Sequence, residues 1–335
     1  MSLRVAICIT THNRRAELER TLAQIALLAP QPDEILIVAD GCTDGTVKFL
    51  SPARLENVAE PKAGGTRTVT QTLLSASHRG SQECLPHDAR LIIHEQARGS
   101  IPSRNEMAAA TTCDIFLSLD DDSHPIEPDA IARIRNLFEE NTRLVVASFP
   151  QRSDEHPETL TTQDFGTAKF TGSYANSSAA IRASVFKSLG GYPDFFFHAY
   201  EEPDFALRCV NAGWKVRFEP CVTVRHHFSA LERDEIRTHH RHARNELWSV
   251  LLRCPLPQLL AVAPFRVWRQ FLYACKRGWS WVWREPAWWC QCLGGIPHCL
   301  RERSALAWPR YRAWMQLVRE PVHDVAEWQA KFGAP

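Results

Sequence analysis

Two nearly unbroken apolar runs near the N-terminus predict how the fold begins. Residues 4–10 and 34–39 are rich in Val, Ile, Leu and Ala, which is typical of strands that are buried on both faces of a parallel sheet. The segment between them carries an apolar stripe at helical spacing, formed by Leu18, Leu22, Ile25 and Leu28. The pattern therefore predicts a strand, a helix and a second parallel strand, which is the βαβ unit of an α/β fold.

A third apolar run ends in three consecutive carboxylates. Residues 113–119 read Cys-Asp-Ile-Phe-Leu-Ser-Leu and lead into Asp120, Asp121 and Asp122. Because alternate side chains of a strand project to the same face, we expect Asp120 and Asp122 to point the same way. Carboxylate oxygens suit Mg²⁺ or Mn²⁺, which proteins commonly hold together with the phosphates of a substrate. Taken alone, the run fits a metal-diphosphate site and a solvated acidic turn equally well.

Polar residues follow the first two predicted strands as well. Thr11, His12, Asn13 and Arg14 come after the first strand, and an Asp-Gly pair that begins at Asp40 follows the second. Ligands of open α/β sheets bind at the carboxyl ends of the strands, so these residues are candidates for nucleotide binding. Neither a Gly-x-Gly-x-x-Gly fingerprint nor a P-loop occurs there, which argues against dinucleotide-binding and nucleoside triphosphatase functions.

These segments belong to a longer series of motifs. The chain contains, in order, Ile-Thr-Thr-His-Asn-Arg at 9–14, Val-Ala-Asp-Gly-Cys-Thr-Asp-Gly-Thr at 38–46, Arg104-Asn105, Leu-Asp-Asp-Asp at 119–122, Gly-Gly-Tyr at 190–192, Glu-Glu-Pro-Asp-Phe at 201–205 with Arg208, Gly213-Trp214 and His226. Over roughly residues 3–230, this series resembles family 2 glycosyltransferases of the GT-A fold and is similar to rhamnosyltransferase-like members. The resemblance implies an α/β fold with a Rossmann-like, mostly parallel central sheet flanked by helices, and a C-terminal helical region.

The resemblance also implies an activity and the residues that perform it. The activity is transfer of a sugar from a nucleoside diphosphate sugar to a hydroxyl of a glycan or lipid-linked acceptor, with inversion, in cell-surface glycan synthesis. Mn²⁺ or Mg²⁺ would bind Asp120, Asp122 and His226, and the catalytic base would be Glu202, with Asp204 as second choice. Donor binding falls to a larger set, namely Thr11, Asn13, Arg14, Asp40, Arg104, Asn105, Asp120 and Asp121.

The chain departs from the family pattern at several positions. Ala39 replaces an Asp of the family, which leaves Asp40 alone to meet the nucleotide, and Glu202 replaces the Asp of a Glu-Asp pair. Pro203 favours the first position of a helix, so we expect Glu202 at or beside the N-cap, where the helix dipole favours the ionised carboxylate. The connection at 61–88 is longer than usual, which predicts a functional or mobile loop.

The segments after Pro203 complete the predicted site. Asp204 and Arg208 lie four residues apart on the expected helix, at salt-bridge spacing, and we interpret that pair as mainly structural. A short strand over 215–225 should return His226 to the neighbourhood of the Asp-rich turn. An imidazole ligand there would favour Mn²⁺ over Mg²⁺.

Charge and tryptophan concentrate in the C-terminal third. The chain of 335 residues has a net charge of +1, yet residues 241–320 hold thirteen Lys or Arg against four Glu, together with nine of the eleven Trp. Such interleaving is typical of helices on an anionic membrane surface; the alternative is a helical domain whose Trp side chains pack on the catalytic core. We expect a nucleotide-sugar-binding catalytic domain at 1–235 and a basic, Trp-rich helical region at 236–335.

The distribution of apolar residues also predicts the cellular location of the protein. The most apolar stretch, 247–273, is interrupted by three Arg and three Pro, so it does not reach the roughly 20 apolar residues of a membrane span. The first strand begins almost directly after the first residue, so no secretory leader is expected. We therefore expect a cytoplasmic enzyme, peripheral on the inner face of the membrane, with no nucleic-acid partner.

Two other functions stay open. A nucleotidyltransferase also uses an Asp-rich metal turn on a Rossmann-like sheet, but it would need a Gly-rich, Lys-bearing loop after the first strand, and residues 10–14 offer none. A catalytically inactive glycan-binding or scaffold protein would tolerate the departures at Ala39 and Glu202. The retained carboxylates argue against that alternative, and detectable donor turnover would exclude it.

Overall fold

The computed structural model describes residues 2–50, 66–70, 89–227 and 234–333, with 66–70 as backbone only. The connection predicted at 61–88 therefore lies outside the described residues, apart from a strand at 66–70. The chain divides into two compact units: the first comprises Met1–Phe170, Tyr174–Gly191 and Trp214–Ser229, and the second comprises Thr171–Ser173, Tyr192–Gly213 and Ala230–Pro335. The domain boundary expected at residue 235 stays a prediction.

The first unit is an α/β structure. Its strands are β1 Val5–Thr11, β2 Glu34–Asp40, β3 Thr66–Thr70, β4 Ala89–His94, β5 Ile115–Asp120, β6 Ser123–Pro125, β7 Leu144–Ser148, β8 Gln151–Ser153, β9 Lys169–Phe170, β10 Ala179–Arg182, β11 Lys215–Phe218 and β12 Val224–His226. Its helices are α1 Arg15–Ile25, α2 Thr46–Leu50, α3 Ser100–Ala110, α4 Ala130–Glu140, α5 Glu158–Thr161 and α6 Ala183–Ser188.

Nine of the described strands form one central sheet in the order β3-β4-β2-β1-β5-β10-β7-β11-β9. β4, β2, β1 and β5 pair in parallel. Because β10 is antiparallel to both β5 and β7, β7 and its parallel neighbour β11 run in the same direction as those four. This arrangement confirms the predicted α/β fold with a mostly parallel sheet.

The core of the first unit lies where the apolar pattern predicted it. β2 is buried along its whole length, and β1 at all but one position. On α1 the apolar stripe faces inward, since Leu18 and Ile25 are fully buried and Leu22 nearly so. Burial of a Leu or Ile side chain stabilises a fold by about 1.5–3 kcal/mol, so this stripe holds α1 on the sheet.

The strand registers bring the polar strand ends to one edge of the sheet. Asp40 at the end of β2 pairs with His94 at the end of β4. Thr10 of β1 pairs with Asp120 at the end of β5, and Thr11 pairs with Ala39 of β2. Four neighbouring strands therefore place their last residues side by side, at the edge where open α/β sheets bind ligands.

The prediction of a single strand over 215–225 is wrong. β11 ends at Phe218, Pro220 follows, and β12 belongs to a second, three-stranded sheet in the order β6-β12-β8. Proline cannot donate a hydrogen bond to a strand ladder, which explains the interruption. The change of sheet places His226 inside β12, paired with Ser123 directly after the Asp-rich turn.

The second unit is helical. Its α-helices are α7 Glu201–Asn211, α8 Glu235–Arg253, α9 Leu259–Arg277, α10 Trp279–Val282, α11 Glu285–Arg301, α12 Trp308–Arg319 and α13 Val325–Phe332. The Trp248 indole on α8 donates to the Cys292 carbonyl of α11 at 3.0 Å, and a Cβ at Gly295 would overlap that indole. α8 and α11 are therefore in close contact. No helix in the described ranges combines the length and the apolar character that a bilayer crossing requires.

The tryptophans of this unit range from completely buried to mostly exposed. Trp288 is completely buried, and Trp248 and Trp314 are 6% and 2% exposed. Trp279 and Trp283 are each 72% exposed. The helical region therefore uses some of its indoles as core and presents others at its surface.

Candidate donor and metal site

Asp120, Asp122 and His226 meet at the carboxyl end of β5. Asp120 is the last residue of that strand, Asp122 lies in the turn into β6, and His226 lies on β12. One ligand atom from each of the three side chains lies within 4.8 Å of those of the other two. The structure thus brings together the three residues that the sequence assigned to a metal.

The Asp122 carboxylate is fully buried, and its two oxygens have different surroundings. Oδ2 accepts a hydrogen bond of 2.5 Å from Arg14 Nη2. Oδ1 lies 3.2 Å from His226 Nε2 and has no hydrogen-bond donor when that ring is neutral. A buried carboxylate oxygen without a donor costs free energy unless a cation or water satisfies it, so this oxygen marks a position suited to a metal ion.

Gln151 determines which nitrogen of His226 carries a proton. Its Nε2 donates to the hydroxyls of Ser177 and Ser178, each at 2.8 Å, so its Oε1 is the atom that faces His226 Nδ1 at 3.2 Å. This network assigns the proton of the neutral ring to Nδ1 and directs the Nε2 lone pair at Asp122. A lone pair and a carboxylate oxygen facing each other repel, and a divalent cation between them removes that repulsion. The donor set therefore fits a metal such as Mn²⁺.

Two arginines neutralise the carboxylates of the turn. Arg14, just before α1, contacts Asp121 Oδ1 through Nη1 at 2.9 Å while its Nη2 binds Asp122. Arg104 of α3 contacts Asp120 Oδ1 at 2.6 Å. Burial raises the pKa of Asp121 to about 8 even though Arg14 lowers it, and the neighbouring Asp122 and Asp120 add to the rise. Burial therefore makes the Asp121 carboxyl harder to ionise than an exposed carboxyl, even though Arg14 contacts it.

Asp40 is braced by protein donors. It is 6% exposed and accepts hydrogen bonds from His94 Nδ1 at 2.7 Å and from the backbone amides of Arg98 and Gly99 at 2.8 Å. Burial would raise its pKa, but these three bonds outweigh burial and lower it. His94 Nε2 contacts Glu106 at 2.8 Å, which extends the network to α3. Sequence reasoning missed His94 and Glu106, although a His that ends an apolar run beside Asp40 was a usable signal.

Two conformational requirements shape the loops after β1 and β2. Asn13 has φ = 53°, a region that Asn tolerates better than most residues, and its Oδ1 accepts from the Thr43 amide at 2.7 Å. Gly41 has φ = 64°, and a Cβ there would lie 2.5 Å from the Ala97 nitrogen. The Asn13 and Gly41 positions of the two motifs are thus fixed by backbone geometry. Thr11, the last residue of β1, is buried beside them.

Two further motif residues meet on α3. Asn105 faces Gly191, because a Cβ at Gly191 would lie 2.8 Å from Asn105 Oδ1. The Gly-Gly-Tyr motif therefore needs glycine to accommodate the Arg-Asn motif. Asn105 is half-buried at this contact.

The second unit contains the residues expected to carry the base. α7 begins at Glu201, so the expectation that Pro203 takes the first position of the helix is wrong. The N-cap is Tyr200, with φ = 68° and ψ = 6°. Pro203 is the third helical residue, where the backbone N–H has no partner inside the helix, so proline is tolerated there. Glu202 is half-buried in the first turn, whereas Glu201 is 2% exposed.

The segment before α7 is strained and is held by side chains of α8. Its non-glycine residues with positive φ are Phe197, Ala199 and Tyr200. Each such conformation costs about 1–3 kcal/mol and persists only where neighbouring groups enforce it. The buried Asn245 Nδ2 of α8 donates to the carbonyls of Phe196, His198 and Ala199 at 3.1, 2.8 and 2.7 Å. α8 thereby fixes the backbone that leads into Glu202.

Asp204 is fully buried within the same unit. Its Oδ2 accepts from Arg208 Nε at 2.9 Å, and its Oδ1 accepts from Ser249 at 2.9 Å and from Arg253 Nε at 3.1 Å. Burial would raise the pKa of Asp204, but the adjacent arginines and Ser249 outweigh burial and lower it. Both oxygens are engaged, which fits the structural pair expected from the spacing.

Two stretches of the sequence match families of glycosyl transferases. Residues 115–315 match the family described as Glycosyl transferase family group 2, and residues 6–63 match Glycosyl transferase family 2. The first match alone covers more than half of the chain. The chain belongs to glycosyl transferase family group 2.

Two curated relatives of this group 2 chain are glycosyltransferases. It is 29% identical over 150 residues to the O-antigen chain rhamnosyltransferase WbaN of Salmonella anatum, which covers 40% of this chain and 47% of that protein. It is 28% identical over 162 residues to the pre-mycofactocin glycosyltransferase of Mycobacterium tuberculosis H37Rv, which covers 44% of this chain and 34% of that protein. The chain thus spans less than half the length of these curated relatives.

A solved structure shares the fold of this family member. The mannosyltransferase PcManGT from Pyrobaculum calidifontis, solved in complex with GDP-Man and Mn²⁺, has a TM-score of 0.52 and 17% identity, and the match covers 95% of this chain and 85% of that chain. At this identity the likeness concerns the fold, and it confirms the predicted GT-A fold with its C-terminal helices.

Proposed function

We propose that this protein catalyses metal-dependent transfer of a sugar from a nucleoside diphosphate sugar to a hydroxyl acceptor. The observation that carries the proposal is the buried Asp122 Oδ1 that faces His226 Nε2 beside Asp120, where strands of a parallel sheet end. Membership of glycosyl transferase family group 2 supports sugar transfer as the chemistry.

The metal role is assigned to residues of the first unit. Asp120, Asp122 and His226 would hold Mn²⁺ or Mg²⁺, and the imidazole ligand favours Mn²⁺. When bound, the ion supplies charge stabilisation to the departing diphosphate. Arg14 and Arg104 hold the Asp-rich turn in place through their contacts with its carboxylates. In this proposal Thr11, Asn13, Asp40 and Asn105 shape the donor site mainly by fixing its loops.

We assign the base to Glu202. Among the three carboxylates in the first turn of α7, Glu201 is nearly inaccessible and Asp204 is fully buried with both oxygens engaged, so Glu202 is the best placed to meet an acceptor. The N-terminal turn of a helix favours an ionised carboxylate, which is the form that accepts a proton. Attack by the deprotonated hydroxyl in a single displacement gives inversion at the sugar carbon.

The acceptor and location belong to the same proposal. The O-antigen chain rhamnosyltransferase among the relatives supports a role in cell-surface glycan synthesis on a glycan or lipid-linked acceptor. Trp279 and Trp283, exposed in a segment rich in Lys and Arg, support peripheral association with the cytoplasmic, anionic face of a membrane.

A panel of nucleoside diphosphate sugars tests the proposal. Each donor is measured for binding and for slow hydrolysis with Mn²⁺, with Mg²⁺ and with chelator. We expect one donor or a small group to bind and to be hydrolysed only with a divalent metal. Absence of metal-dependent binding and hydrolysis across the panel would contradict the proposal and favour the glycan-binding or scaffold alternative.

A further inference from the structure

A basic cavity of about 620 Å³ in the second unit has no role in the mechanism proposed above. It lies at the start of α8 and beside the start of α11. Four arginines contribute to its lining: Arg237, Arg241, Arg244 and Arg284. Asp234 is the one carboxylate among the described residues that line it, and its Oδ1 is occupied by capping the Ile236 and Arg237 amides. The cavity is therefore strongly positive.

Three of these arginines have no carboxylate partner among the described residues, namely Arg237, Arg241 and Arg284. Arg241 lies over the Phe197 ring, with its guanidinium carbon 4.9 Å from the ring centre. Burial together with the neighbouring Arg237 and Arg244 lowers the pKa of Arg241. Elsewhere in the unit the pattern differs, since Arg266 pairs with a buried carboxylate, Glu246, at 3.0 Å. An anion in the cavity would relieve the crowding of like charges.

The walls of the cavity are held in place by buried contacts. Trp248 of α8 packs into the notch left by Gly295 of α11. His239 Nε2 of α8 contacts Glu285 of α11 at 2.9 Å, and the Trp288 indole donates to the same carboxylate at 2.8 Å. Because both helices are fixed against each other, little ordering is needed for a ligand to bind, which favours affinity.

We propose that this cavity binds the phosphate or diphosphate group of a lipid-linked acceptor. This inference rests on the proposed function, because it names the class of acceptor. Planar guanidinium groups bind phosphate oxygens in pairs, so clustered arginines suit this anion better than a monovalent ion. Trp283 lines the cavity and is 72% exposed, and its ring centre lies 6.3 Å from that of the equally exposed Trp279. The two indoles provide an apolar surface on which the lipid chain lies.

Binding measurements on the full chain test this assignment. Chelator is present, so that the proposed metal site does not contribute to diphosphate binding. The probes are farnesyl diphosphate, inorganic diphosphate and farnesol. The variant Arg241→Gln/Arg284→Gln is compared with Arg312→Gln/Arg319→Gln, which removes the same charge from exposed positions of α12. We expect farnesyl diphosphate affinity to fall at least about tenfold in the first variant and to stay within about twofold of the parent in the second.

Two further measurements separate the sources of phosphate. Trp283→Ala should weaken farnesyl diphosphate binding several-fold and leave inorganic diphosphate binding unchanged. If farnesyl diphosphate and inorganic diphosphate bind equally well, the lipid-linked acceptor is excluded. Equal weakening of farnesyl diphosphate binding in both double variants, or no binding to the parent, would overturn the cavity assignment.

Donor binding is measured separately with Mn²⁺. The variant Arg241→Gln/Arg284→Gln, which should no longer bind farnesyl diphosphate tightly, should keep a donor affinity within about twofold of the parent. A parent that binds farnesyl diphosphate but no nucleotide sugar would contradict the proposed function and, with it, the acceptor role, while the phosphate site itself would stand. Circular dichroism verifies that each variant is folded, and the single variant Arg284→Gln, at an exposed position, replaces the double variant if that one is not.

Discussion

Gln151 orients His226: the amide oxygen of the glutamine lies 3.2 Å from ring Nδ1, while its amide nitrogen is committed to two serine hydroxyls. In the neutral ring, this arrangement leaves the lone pair on the nitrogen that faces Asp122. An uncharged side chain that is not itself a ligand thus prepares the third ligand of the proposed metal site.

Replacing Gln151 with Leu should weaken Mn²⁺ binding by about 10- to 100-fold, because the ring loses the partner that fixes its orientation. Electron paramagnetic resonance titration of free Mn²⁺ measures the affinity. Gln163→Leu, at an exposed position, is the matched control and should bind Mn²⁺ as the parent does. If the two variants have the same affinity, Gln151 does not orient a metal ligand.

Asp122→Asn should abolish sugar transfer and remove the metal-dependent part of donor binding, because the buried carboxylate would hold the ion. Donor affinity is compared with Mn²⁺ and with chelator. Asp129→Asn, a surface carboxylate paired with Arg133, serves as control and should retain the metal effect. Equal donor affinity in Asp122→Asn and the parent under both conditions would reject the assignment.

Glu202→Gln should lower kcat by about 10²- to 10⁴-fold and leave donor affinity nearly unchanged, because glutamine keeps the shape of the side chain but cannot accept a proton. Steady-state kinetics and donor binding separate the two effects. Glu302→Gln, in an exposed position of the same unit, should leave kcat unchanged. A Glu202→Gln enzyme that keeps more than about a tenth of the parent rate would exclude Glu202 as the base.

His94 should make stability depend on pH. Burial would lower the pKa of His94, but its contacts with Asp40 and Glu106 outweigh burial and raise it. A raised pKa means that the folded protein binds the proton more tightly than the unfolded chain does. The resulting stabilisation is complete below the unfolded pKa, about 6.5, and is lost as pH rises through the higher folded value.

Denaturant unfolding across pH 5.5 to 8.5 measures this effect. The free energy of unfolding of the parent, relative to His94→Gln, should decrease as pH rises through that window. His156→Gln, at an exposed position, should give a constant difference. A difference between parent and His94→Gln that does not change with pH would show that the network is not protonated.

Exposed and buried tryptophans should respond differently to substitution. Trp279→Ala/Trp283→Ala should fold normally but sediment less with phosphatidylglycerol vesicles at high salt, where apolar contact dominates over screened charge. Trp288→Ala should instead lower the free energy of unfolding by about 3–5 kcal/mol, because that side chain is completely buried. A parent protein that does not sediment with the vesicles at low salt would contradict membrane association.

The fold and the position of the site were predictable because they rest on repeated, local signals. The apolar run of β2 and the apolar stripe of α1 predict directly from the sequence that these residues are buried. Once two strands are known to be parallel and buried, the residues that follow them must share one edge of the sheet. The sequence therefore predicts that Asp40 and Asp120 lie at the same edge of the sheet.

Other features could not be predicted because they depend on distant partners. Pro203 signalled a helix start, yet α7 begins at Glu201, since Asn245 of α8 stabilises the preceding left-handed backbone. Neither Gln151 nor His94 lies in a recognisable motif, and each gains its role only when separate segments pair. Side chains that position a functional residue are therefore harder to recognise in a sequence than the functional residue itself, because they lie outside its motif.

The hydrogen bonds of Asn245 restrict which residue types can occupy that position. Three carbonyl oxygens converge on one amide nitrogen that lies in a completely buried site. Aspartate would place its carboxylate oxygens against the carbonyl oxygens, so that acceptors would face acceptors. Serine has only one proton to donate, and glutamine is one methylene longer than asparagine. Among functional homologues that share the left-handed approach to α7, position 245 should therefore tolerate almost no substitution, and an Asn at this place in a new sequence would identify the same backbone turn.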